Sequence, residues 1–153
     1  MNQASATVNA YTRVNVETAS QGKLVVMLFD GAIRRAQEAG RLIEAGGRRD
    51  EIHRNLVHAQ DIIAELRNAL DMQRGQIARN LDRIYEYFQH LLITANLHKD
   101  TAPINECVRL MREMRDTWDE AFKKAAREST ELSAGVANQR TAAVSLTALN
   151  LST

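Results

Sequence analysis

The stretch Leu24-Val25-Val26-Met27-Leu28-Phe29, continued by Asp30-Gly31-Ala32-Ile33, decides how this chain is read. Six consecutive apolar residues at about 100° each go more than once around a helix axis. A helix lying on one core needs an apolar stripe only about 100° wide. This helix starts apolar on every side and must be covered on every side. The run is too short to cross a bilayer, which takes about 20 residues, and Asp30, Arg34 and Arg35 soon break it. Its cover has to come from the rest of the chain.

Ser20 is a sound N-cap for this first helix, with Thr18 as the competing choice. Lys23 stands where a capping box wants Glu, and a cation there opposes the helix dipole. The helix is predicted to run to about Ala45 and to stop at Gly46-Gly47. Val25, Leu28, Ala32, Ala36, Ala39 and Ile43 face inward, and the alanines imply close helix approach.

A second helix starts near Asp50, with Ile52, Leu56, Ala59, Ile63, Leu66 and Leu70 at heptad spacing. Val57, Ile62 and Ala69 widen that stripe. After a turn at Arg74-Gly75, Ile77, Leu81, Ile84, Phe88, Leu91 and Ala95 form the seam of a third helix. Tyr85 and Leu92 flank this seam, Tyr87 lies on its other shoulder, and the helix ends near Leu97. The fourth opens at Asp100 or Thr101 with Pro103 in its first turn. Its seam is Ile104, Cys107, Met111, Met114, Trp118, Ala121 and Ala125.

Four helices with short connections predict an all-α, antiparallel up-down-up-down four-helix bundle over residues 18–126. Residues 1–17 are small and polar but carry Val8, Tyr11 and Val14 at every third position, which suits a cap or lid with one sticky side. Residues 127–153 are rich in Ser, Thr and Ala and carry no charge beyond Arg140, which predicts a flexible, mostly disordered tail.

The chemistry of catalysis is not found. Lys and Arg number 20 against 19 Asp and Glu, so the balanced charge offers no footprint for nucleic acid and no basic run for a membrane surface. A di-iron bundle needs Glu-x-x-His on two helices. The residues three positions before His53, His58, His90 and His98 are Asp50, Asn55, Tyr87 and Ala95. No metal, no cofactor and no catalytic residue is expected. The lone Cys107 reads as a small core residue of a cytosolic protein, and no signal peptide opens the chain.

Several blocks then become familiar. Asn9-Ala10-Tyr11, Thr18-Ala19-Ser20 leading into LVVMLFDGAI (24–33), AQDIIAELRNALD (59–71), IYEYF (84–88), TANLHKD (94–100) and RDTWDEA (115–121) occur in one order and spacing. Over roughly residues 8–126 this resembles the FliS-type flagellar export chaperones. Gln21 stands where that family usually has Pro, Lys23 where an acidic residue is frequent, and Phe29 where Tyr is common.

The resemblance implies a cytosolic, non-enzymatic chaperone. Its client is the disordered C-terminal segment of flagellin, wrapped around the bundle and kept from polymerising before export. It also implies a movable N-terminal cap, which places Val8 and Tyr11 at the cap or client contact. A client that wraps a bundle needs apolar grooves between helices. The expected client-binding or cap residues are therefore Val8, Tyr11, Val14, Leu24, Met27, Ile62, Ala69, Tyr85 and Leu92, with residues 8–16 filling part of the groove beside the second and third helices until a client displaces them. The alternative is a regulatory binder that sequesters a transcription-control partner such as an anti-sigma factor. An export-gate component is a further candidate partner.

Overall fold

The computed structural model describes the backbone of residues 2–151 and the side chains of residues 21–143. Its helices are α1 (Asn2–Glu44), α2 (Arg49–Asn68), α3 (Gln76–His98) and α4 (Thr101–Leu151), with a 3-10 turn (Met72–Arg74) before α3. No strand occurs among the described residues. The chain divides into two compact units, Gly22–Asp119 and a second that takes Met1–Gln21 with Glu120–Thr153.

The helix ends follow from local chemistry. Gly46 lies at φ +67°, and its N–H donates to the Ile43 carbonyl (3.2 Å) while that of Gly47 donates to Leu42 (2.7 Å). These are the two bonds of a Schellman stop. Both glycines are needed, because a Cβ on Gly47 would sit 3.0 Å from Leu42 Cδ2. At the other sharp turn Lys99 takes the left-handed conformation, and the Asp100 carboxylate accepts from the Ala102 N–H (3.1 Å) to cap α4.

Two boundaries differ from expectation. The backbone of α1 is helical from Asn2, so neither Thr18 nor Ser20 begins it. No Gly or Pro occurs between residues 2 and 21, and Gln21 supplies an N–H where Pro would have withheld one. At the far end α4 continues through the predicted disordered tail to Leu151. Residues 121–143 have no Pro and many good helix formers, Ala, Glu, Lys and Arg, which favour helix without packing. Ala121 and Ala125, expected in the seam, are exposed, as is every described side chain from Thr130 to Ala143.

Within the unit Gly22–Asp119 the core is apolar throughout. No polar or charged residue is buried among the described residues. The α2 seam Ile52, Leu56, Ala59, Ile63 and Leu66 is buried as expected, and so are Ala32, Ala36 and Ala39 of α1. In α3 the buried stripe is turned relative to the expected one. Tyr85 and Leu92 are 2% and 0% exposed, whereas Ile77, placed in the seam from sequence, is 72% exposed. Both stripes share Phe88, Leu91 and Ala95, so spacing alone does not separate them. The aromatic ring decides: Tyr85 sits between Phe29 and Phe88, with centroids at 6.1 and 6.3 Å, and its hydroxyl is satisfied by Trp118. Burial pushes the Cys107 thiol up to about 12, helped by the neighbouring Glu106 charge, which keeps it an inert core group.

Helix pairs are tied by contacts running in opposite senses along the two helices of each pair. On α2 and α3, Arg67 reaches Asp82 (2.6 Å) near one end and His53 meets Asn96 (2.8 Å) near the other. On α1 and α4, Arg115 donates to Asp30 (2.9 Å), while Gly40 lets Ile104 approach. These contacts are consistent with an antiparallel bundle. Arg115 also pairs with its neighbour Asp116 at 3.1 Å, so one guanidinium serves both a local contact and the crossing to α1.

The Arg67 hydrogen bonds hold the Asp82 carboxyl below its usual range. A depressed aspartate adds stability above its unfolded-state pKa, and that stability is lost as pH falls through the folded value. Acid titration of the melting temperature is therefore expected to show a drop below the ordinary aspartate range that is reduced in Asp82→Asn.

Candidate functional site

The six-residue run of α1 divides as its excess of apolar surface requires. Val26 and Phe29 enter the core and Val25 and Leu28 are half-buried, but Leu24 and Met27 are left 55% and 60% exposed. What lies beside them is set by the register of α1 against α2. A Cβ on Gly31 would stand 3.5 Å from Ile62 Cδ1, and Arg35 Nη1 donates to Asn55 Oδ1 at 3.4 Å. Continuing that register brings Leu24 level with Ala69 and Met27 level with Leu66. That register sets Leu24, Met27 and Gly31 of α1 alongside Ile62 and Ala69 of α2 in one strip, termed the α1/α2 furrow.

The furrow changes character along its length. Further along α1 lies a hollow of about 660 Å³ lined by Arg34, Arg35, Gln37, Glu38, Arg41 and Asn55. A second hollow of about 330 Å³ shares Arg35, Glu38 and Asn55 and adds Glu51, Arg54 and His58. One half is apolar and the other is rich in arginine.

Tyr85 and Leu92, expected in the groove, do not belong to it. They are core, because the buried stripe of α3 takes the shoulder positions and leaves Ile77 and Ile84 outside. Val8, Tyr11 and Val14 lie outside the described side chains. Gly31 was missed by sequence reasoning, although a lone glycine within the apolar start of a helix marks a close approach. A Cβ there meets only ordinary van der Waals distances, so Gly31→Ala is expected to raise stability by about 0.5–1 kcal/mol through helix propensity alone. The same methyl shallows the furrow, so chemical denaturation should show the gain while any ligand of the furrow binds less tightly.

A further hollow of about 590 Å³ lies where Gly40 of α1 meets Ile104 of α4. Arg109 and Glu113 on its rim pair with each other at 3.2 Å. Among the described residues no three His, Cys, Asp or Glu side chains come together to hold a metal ion, and no helix is long and apolar enough to cross a membrane.

The sequence model for the flagellar protein FliS matches residues 3–125, most of the chain and the whole of the furrow. The chain belongs to the FliS family. It is 30% identical over 131 residues to the flagellar secretion chaperone FliS of Bacillus subtilis, covering 84% of this chain and 94% of that protein. To the Salmonella typhimurium chaperone of the same name it is 34% identical over 127 residues, covering 78% and 92%. The Escherichia coli FliS is 32% identical over 125 residues, covering 78% and 91%. The FliS match ends at residue 125, just as the described side chains of α4 become exposed.

Proposed function

We propose that this FliS-family protein is a cytosolic flagellar secretion chaperone. Its residues 18–126 act as an up-down-up-down bundle that holds the disordered C-terminal segment of flagellin until export. The observation that carries this reading is the uncovered pair Leu24 and Met27, beside Ile62 and Ala69, in the furrow between α1 and α2. An isolated exposed Leu is ordinary, but aligned apolar residues beside a glycine are what an amphipathic segment of another chain requires.

The mechanism is one of occupancy. A flagellin terminus lying in the furrow has its own apolar residues covered and is not free to pack against other flagellin subunits. Ordering a disordered client offsets part of the gain from burying its apolar surface, so the complex holds firmly yet can be released.

Calorimetry with a flagellin C-terminal peptide tests the reading. Binding heat, with a melting temperature that rises with peptide concentration, is expected, since a ligand at 100 times its Kd stabilises the folded state by about 2.7 kcal/mol. Absence of both at tens of micromolar peptide would contradict it and favour the regulatory alternative.

A further inference from the structure

Resting on that chaperone reading, we propose that the arginine-rich half of the α1/α2 furrow selects client segments that carry acidic side chains roughly 10–17 Å from their apolar anchors. The two hollows are lined by four arginines, Arg34, Arg35, Arg41 and Arg54, against two glutamates, Glu38 and Glu51, in a chain whose whole net charge is +1.

Some of this charge is already used. Glu38 is held by Arg41 through two hydrogen bonds of 2.9 and 2.6 Å, and Arg54 stands 4.0 Å from Asp50. Arg34 and Arg35 differ. Among the described residues neither has a carboxylate within 4.0 Å, and Arg35 reaches only the Asn55 amide oxygen. Both are exposed, on adjacent positions of the helix that carries Leu24 and Met27 seven to eleven residues earlier. At about 1.5 Å per residue the two features are roughly 10–17 Å apart along one axis.

A guanidinium offers five N–H donors in a planar fork that suits a carboxylate. An occupant that spans both halves satisfies the apolar end with aliphatic side chains and the guanidinium groups of Arg34 and Arg35 with Asp or Glu. Such pairing sets which segment binds and in which direction it lies more than it adds affinity.

The test uses the full chain and a flagellin C-terminal peptide from the same bacterium, with a copy in which Asp and Glu are replaced by Asn and Gln. Calorimetry is run on the unsubstituted protein and on Arg34→Glu/Arg35→Glu, whose fold is checked by circular dichroism. The amide peptide is expected to bind the unsubstituted protein roughly three- to tenfold more weakly than the acidic one, and more so at low salt. The charge-reversed protein should lose the acidic peptide to at least the same degree and no longer prefer it over the amide copy. Equal affinities in all four pairings, with no salt dependence, overturn the inference and leave the chaperone reading standing. No binding of either peptide to the unsubstituted protein overturns the chaperone reading itself, and the selection goes with it.

Discussion

Phe29→Ala is expected to lower the free energy of unfolding by about 3–5 kcal/mol, the range for removing a buried aromatic side chain. Phe29 is fully buried, and its ring packs against Tyr85, which in turn meets Phe88. Removing it leaves a cavity where α1 and α3 face each other, beside the buried Tyr85. Urea denaturation should show a lower midpoint. Met27→Ala, two positions away, should change stability by no more than about 0.5 kcal/mol, because its side chain faces solvent. Residues of one apolar run thus separate into structure and surface. A comparable loss for both substitutions would mean that Met27 is packed and that the furrow is closed.

Leu24→Asp/Met27→Asp is expected to have the opposite profile. Melting should be nearly unchanged, since both side chains are exposed. Client affinity should fall at least about 100-fold, because covering an apolar side chain contributes on the order of 1.5–3 kcal/mol and a buried unpaired carboxylate opposes docking. Titration calorimetry with the flagellin peptide measures the loss. The opposite pair of results, intact binding with a collapsed fold, would place these residues in the core.

Much of this arrangement is legible before any coordinates. Gly46-Gly47 and Asp100 announce their turns because glycine tolerates a positive φ and an aspartate caps a helix start well. The α2 seam is legible because no second apolar stripe competes with it. In α3 two stripes compete, Ile77 with Ile84 against Tyr85 with Leu92, and the choice rests on a tertiary fact: Tyr85 finds Phe29, Phe88 and Trp118. Both groove residues assigned to α3 moved into the core for that reason, whereas Leu24 and Met27 stay exposed. The bridge from Arg115 to Asp30 spans 85 residues and leaves no local signature. The onset of α1 at Asn2 went unread because residues 1–17 were taken for a separate cap, and the reach of α4 to Leu151 because a tail rich in Ser, Thr and Ala was taken for disorder, although neither stretch contains Pro.

The chain offers its own reporters for the central claim that the α1/α2 furrow receives the client. Met27 lies in the furrow, while Met111 is fully buried and Met114 packs against the core on α4. Methionine-methyl NMR on the full chain, titrated with the flagellin C-terminal peptide, should therefore move the Met27 resonance to saturation and leave those of Met111 and Met114 in place. Saturable binding with the Met27 methyl unmoved would contradict the account.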